Sequence, residues 1–202
     1  MSVLDQAWQA FIDGNILEAE QLVSMLKMDD SSSRSLKAYL ALEKENYQQA
    51  MDLYEQNRME ALFVNNHADL HVALHQQAMV AREMGECEHA LDLIAQEEKI
   101  IQQHFSDDAL RLSVNAYEQG YLRMKLGRSS EGLAYMEQSL GWSLKTDDWI
   151  AQACAYRGLG EIYQVLGNIE ESKASFEKSL LLFRQAGDEI GAEEVEKMLS
   201  KI

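Results

Sequence analysis

Residues 160–179 read GEIYQVLGNIEESKASFEKS, and this stretch decides the fold. Gly160, Tyr163, Gly167, Ser172, Phe176 and Ser179 follow one another at three to five residues, a helical rather than a strand period. Leu166-Gly167 interrupts the pattern in the way a turn does. Working outward, Leu126-Gly127, Gly120, Met136 and Ser139 each stand 40 residues before Leu166-Gly167, Gly160, Phe176 and Ser179. Further upstream, Met84-Gly85 is followed by Ala90, Glu45 by Ala50 and Gly14 by Ala19, which spaces five turns 31, 40, 42 and 40 residues apart. A repeat of this length marks a stack of small structural units, each too thin to bury its apolar face alone.

Each unit reads as two helices about a short turn. The pattern predicts helices near 2–13, 15–27, 31–44, 47–60, 66–84, 86–104, 108–126, 129–145, 148–166, 169–186 and 188–201. Asn66, Asp108, Asp148 and Asp188 stand where a side-chain oxygen would accept the free N–H groups of a first turn. Two helices approach closely only where one carries a hydrogen or a methyl. Ala7, Ala38, Ala78, Gly120 and Gly160 therefore mark the crossing in each first helix, and Ala19, Ala50, Ala90, Gly132 and Ser172 mark the partner position. Breaks at every hairpin exclude one continuous coiled coil. The last segment, 188–202, is expected to cap the stack, with Ile190, Val195 and Leu199 covering the face that holds Phe176, Leu180 and Phe183 while Glu193, Glu194, Glu196 and Lys197 stay wet.

The run Gly160-x2-Tyr163-x3-Gly167-x4-Ser172-x3-Phe176-x2-Ser179 resembles the tetratricopeptide repeat (TPR), whose pattern has Gly or Ala, Tyr, Gly, Ala, Phe or Tyr, and Ala at those offsets. Departures are Ser172 and Gly132 for Ala, Arg123 for Tyr, and the lack of Pro at repeat ends. The long period is similar to that of kinesin light chain and of Rap-type peptide receptors. The resemblance implies an all-α, right-handed solenoid of antiparallel helix hairpins, one domain over 1–202 with repeats at about 1–29, 30–60, 66–105, 108–146 and 148–187 and the cap at 188–202. It also implies that first helices line a concave groove that binds a protein or peptide. The Lys and Asn pattern of chaperone-tail clamps is not found on the first helices, and no DNA-reading helix-turn-helix precedes the repeats, so a stand-alone module is expected.

Composition narrows the partners. With 34 acidic and 18 basic residues the chain carries a net charge of −16, which repels phosphate and argues against nucleic acid or an anionic membrane surface. Its longest apolar runs, such as Ala61-Leu62-Phe63-Val64, are far short of a bilayer span, and no basic segment opens a signal peptide. Two cysteines, Cys87 and Cys154, cannot build a disulfide framework, and a cytoplasmic location is expected. No phosphate loop, dinucleotide turn or nucleophile elbow is present, so neither enzyme activity nor a cofactor is expected. His67, His71 and His75 share a helical face at four-residue spacing but lack the His-Glu-x-x-His base of a metal hydrolase, and no metal role is assigned. Glu86, Glu88, Asp92, Glu97 and Glu98 read as a solvated outer face.

The groove stripe can be named from helical geometry as the residues three before, one after and four after each crossing. It holds Ser35, Tyr39 and Leu42, then His75, Met79 and Arg82, then Tyr117, Tyr121 and Met124, then Arg157, Glu161 and Gln164. Aromatic, Met and Arg residues are the types enriched at interfaces. Candidate ligand contacts are Tyr39, His75, Met79, Arg82, Tyr117, Tyr121, Arg157 and Glu161, with the arginines orienting an acidic group. The alternative for the tyrosines and methionines is packing between units, and for the arginines local pairing of Arg157 with Glu161 and Arg82 with Glu86. The expected function is a peptide- or protein-binding adaptor. The competing expectations are a self-associating repeat protein, such as a homodimer, or the sensor module of a peptide-responsive regulator.

Overall fold

The computed structural model describes residues 1–27 and 29–202. Among the described residues every regular element is helical. The helices are α1 (Val3–Ile12), α2 (Ile16–Ser24), α3 (Ser31–Leu42), α4 (Tyr47–Phe63), α5 (His67–Glu83), α6 (Cys87–His104), α7 (Ala109–Lys125), α8 (Ser129–Ser143), α9 (Trp149–Leu166), α10 (Ile169–Ala186) and α11 (Glu189–Leu199). The expected ends hold to within three residues. They do so because the caps are written locally: Asn66, Asp108, Asp148 and Asp188 each accept from a first-turn backbone N–H, as Asp148 does from Ala151 at 2.9 Å. Gly14, Gly85, Gly127, Gly167 and Gly187 end their helices with φ near +75 to +81°, a region open to glycine without steric cost. At the α3–α4 turn the same role falls to Glu45, with φ +56°.

The chain forms two compact units, Met1–Glu86 and Cys87–Ile202. In the first, α1 pairs with α2, α3 with α4, and α5 packs on α4. Its core is assembled around Ala7, Ala19, Leu36 and Leu40, and around Ala38, Ala50, Tyr54 and Val80. Arg34 is buried in this unit; its Nε donates to Asn57 at 2.7 Å and its guanidinium pairs with Asp29 and Glu60.

In the second unit α7 pairs with α8 and α9 with α10, α7 also lies against α9, and α11 closes on α10. The small residues do what their size allows. A Cβ on Gly160 would stand 2.6 Å from the Phe176 ring, and one on Gly132 would stand 2.7 Å from the Gly120 carbonyl oxygen. Ser172, where the repeat pattern has Ala, donates to the Gly160 carbonyl at 2.8 Å, so its hydroxyl is satisfied inside the crossing.

The last helix covers Phe183 with Ala192, Val195 and half-buried Leu199. Ile190 does not join them. It is 77% exposed, and Gly191 lies against the Phe183 ring instead. Glu97 also departs from its expected place. It is 3% exposed and accepts from Asn115 Nδ2 at 3.0 Å, while Glu98 is half-buried beside Gln119.

Candidate binding face on the first helices

The predicted site residues fall into both units. In the first unit Tyr39 sits inside an aromatic cluster, with ring centres 5.8 Å from Trp8, 5.6 Å from Phe11 and 6.3 Å from Tyr54. Burial pushes the Tyr54 hydroxyl well above the usual phenol range, and neighbouring Tyr39 adds to this. His75 and Met79 are half-buried on α5. Arg82 pairs with Glu83, its Nη2 3.3 Å from Oε1.

In the second unit Tyr117, Tyr121, Arg157 and Glu161 come together. The two tyrosines, one helical turn apart on α7, stack with ring centres 6.2 Å apart and planes 10° from parallel. From α9, Arg157 Nη2 reaches the Tyr117 hydroxyl at 3.2 Å, Nη1 reaches Glu194 of α11 at 3.0 Å, and Nε lies 3.8 Å from Glu161. Lys125 stands over the Tyr121 ring at 5.2 Å.

This cluster is charged and largely withdrawn from water. Burial alone would lower the Arg157 pKa, but the Tyr117 hydroxyl, Cys154 and Glu161 more than offset it, so the guanidinium stays charged. Burial raises the Glu161 carboxyl, with Arg157 and Lys125 pulling the other way. Burial likewise pushes the Tyr117 hydroxyl up against the pull of Arg157, and it raises the Cys154 thiol, which leaves that sulfur a poor nucleophile. Arg157 is thus a shared strut between three helices.

A feature that the stripe rule passed over completes the face. Leu110, Ile150 and Ile190 each stand two residues after an Asp cap and 40 residues apart, and they are 39%, 48% and 77% exposed. Leu110, Val114, Tyr117 and Tyr121 share one side of α7, as Ile150, Cys154, Arg157 and Glu161 share one side of α9, because offsets of 4, 7 and 11 residues return to nearly the same angle. One end of each stripe is apolar and exposed, and the other is polar and interlocked. The 40-residue register could have flagged these three residues. Glu194 was hidden, since nothing in its sequence neighbourhood, Glu193-Glu194-Val195-Glu196, separates it from solvated acids.

Residues 151–185, which form the α9–α10 hairpin, match the tetratricopeptide repeat model. The α9–α10 hairpin is a tetratricopeptide repeat. Several solved structures, TPR-like repeats among them, share the fold of this chain. BtubC (BKLC) from P. vanneervenii superposes with TM-score 0.68 at 15% identity over 98% of this chain and 85% of its own. A set of nearly identical TPR-like repeats from Podosopora anserina, named for kinesin light chain, gives 0.67 at 20% over 92% and 94%. The tetratricopeptide repeat sensor protein PH0952 from Pyrococcus horikoshii, a signal transduction ATPase with numerous domains, gives 0.79 at 16% over 96% of this chain, which spans 31% of that protein's length. At such identities the likeness is one of fold. No curated protein matches the sequence.

Within this TPR framework the Arg123 departure has a physical account. Where the repeat pattern has Tyr, Arg123 stacks on Tyr135 at 3.9 Å and donates to the Gln119 side chain at 2.6 Å, so a cation with a flat face fills the place of a ring. Among the described residues no helix is long and apolar enough to cross a membrane.

Proposed function

We propose that this protein is an adaptor whose α7–α9–α11 face binds a peptide or a segment of a partner protein, without catalysis or a cofactor. TPR proteins in general mediate protein–protein interaction, and one observation supports this reading of the site: Leu110, Ile150 and Ile190 leave apolar side chains exposed at matched positions of α7, α9 and α11, Leu110 on the stripe that carries the Tyr117–Tyr121 stack. Exposed apolar groups at matched positions of successive helices offer anchor points for one ligand chain. On this reading Tyr117, Tyr121 and Ile150 contact the ligand. Arg157 and Glu161 fix the tyrosines and present a polar rim. Tyr39, His75, Met79 and Arg82 are the candidate contacts of the earlier repeats within the first unit, 188–202 closes the second unit, and the protein works in the cytoplasm.

The test is site-resolved cross-linking in cells. A photoreactive residue at position 150 should trap a partner, and one at position 137, where Glu137 is exposed on α8, should not. Equal trapping at both, or at 137 alone, would rule the face out.

A second reading has its own observation. The fold likeness to a tetratricopeptide repeat sensor, at TM-score 0.79, fits a module that reports ligand binding to a regulator. Self-association is the other reading. It would show as trapping of the protein's own chain at position 150.

A further inference from the structure

We infer that the second unit carries another site, a cleft between α6 and α8 that takes a guanidinium or ammonium group on an aliphatic stem. The cleft lies across α7 from the tyrosines, since Asn115 and Gln119 are each two residues, about 200° of helix, from Tyr117. Its volume is about 270 Å³, at or below the lower end of the ~300–1,000 Å³ of pockets for whole small-molecule ligands and suited to one side chain or a ligand of that size.

Its chemistry is layered. Ile101 and Leu112 give an apolar wall, which suits methylene groups. Asn115 and Gln119, 4% and 1% exposed, are fixed in orientation: Asn115 Nδ2 donates to the Ile94 carbonyl and to Glu97, both at 3.0 Å, and Gln119 Nε2 donates to Glu98 at 2.8 Å.

Glu98 is the group that names the ligand. Its two oxygens accept from Gln102 at 2.9 Å and from Gln119, and among the described residues no cation lies within ion-pair distance of it. A half-buried carboxylate held by neutral amides keeps lone pairs for a charged donor. Tyr135 and Trp142 add aromatic walls, but each ring already carries a cation of this chain, Arg123 at 3.9 Å and Lys145 at 3.7 Å, so an incoming cation relies on Glu98 for its charge partner and on the rings for contact area. The net charge of −16 draws such ligands in.

The test uses the full chain and three probes: agmatine, an acetyl-Gly-Arg-Gly amide peptide, and the same peptide with citrulline, which replaces the guanidinium by a neutral urea. Trp142 is one of three tryptophans, so its indole N–H resonance, assigned with Trp142→Phe, reports on the cleft. The cationic probes should shift that signal saturably and the citrulline peptide should not. Glu98→Gln removes the charge, keeps one oxygen for the buried Gln119 amide and leaves the exposed Gln102 amide to turn to water; it should weaken binding about tenfold or more with little change in the thermal unfolding curve. Saturation by the peptide alone assigns the site to a partner's side chain, and saturation by agmatine alone assigns it to a free amine. No saturable shift with either cationic probe up to about 10 mM, an equal shift with citrulline, or an undiminished shift in Glu98→Gln would overturn the inference. Each of these results leaves the α7–α9–α11 face untouched.

Discussion

Gly120 and Gly132 face each other across the α7–α8 crossing, each close enough that a Cβ on it would meet the other's carbonyl oxygen, at 2.9 Å from Gly120 and 2.7 Å from Gly132. A backbone oxygen cannot swing aside as a side chain does. Gly132→Ala should therefore destabilise by about 1–3 kcal/mol, even though alanine favours a helix interior by about 1 kcal/mol. Gly141, on the same helix with nothing within 4 Å of its would-be Cβ, is the control. Gly141→Ala should stabilise by about 0.5–1 kcal/mol, and urea unfolding of both variants checks the sign.

Glu45 holds φ +56° at the α3–α4 turn, where the α1–α2, α5–α6, α7–α8 and α9–α10 turns use glycine. A side chain in that region costs about 1 kcal/mol or more, partly offset by the entropy glycine adds to the unfolded chain. Glu45→Gly should raise the melting temperature slightly, and Glu45→Val should lower it.

The closing helix gives two substitutions with opposite expectations. Val195 is fully buried in the cluster with Phe183, while Ile190 is 77% exposed. Val195→Ala should cost about 2 kcal/mol, and Ile190→Ala should stay within about 0.5 kcal/mol. Truncation after Gly187 should lower thermal stability or cause aggregation, because Phe183 loses its cover.

Two carboxylates should impose opposite pH trends. Hydrogen bonds from Arg58 hold Glu55 below its usual value despite partial burial, with Gln77 assisting. Its stabilising share is present above the ordinary carboxylate pKa and is lost as pH falls through the depressed value. The gap between wild type and Glu55→Gln should thus be widest near neutrality and close in acid. Glu161 is raised, chiefly by burial, so the folded form binds its proton more tightly than the unfolded chain does. Wild type should lose stability relative to Glu161→Gln as pH rises from the ordinary carboxylate value through the raised one. Urea unfolding from pH 3 to pH 8 reads both slopes.

The hairpins, caps and crossings were legible because each is encoded within a single hairpin, as with Asp148 and Ala151 three residues on or with Gly160 and Phe176 sixteen residues on. The face was legible in part. Tyr117 and Arg157 could be placed on one stripe by the 40-residue register, and they do touch. The third partner, Glu194, comes from a helix whose charges all read as solvent-facing. Glu97 was misread for the same reason: an acid in a run of acids shows nothing of the buried Asn115 amide that receives it. Ile190 was misread as cover because its position fits the apolar period, yet Gly191 brings the backbone so near Phe183 that no larger neighbour is required.

The central claim is that the α7–α9–α11 face does the binding, and paired capture from native lysate tests it most directly. Wild type, Tyr121→Ala, Ile150→Asp and Glu137→Ala are compared by quantitative mass spectrometry at matched helicity. Removing an aromatic anchor at an interface costs about 2 kcal/mol or more, so the partner retained by wild type and Glu137→Ala should be lost or strongly depleted with Tyr121→Ala and Ile150→Asp. Full capture by both face variants together with loss in Glu137→Ala would contradict the account and move the working surface to the second helices.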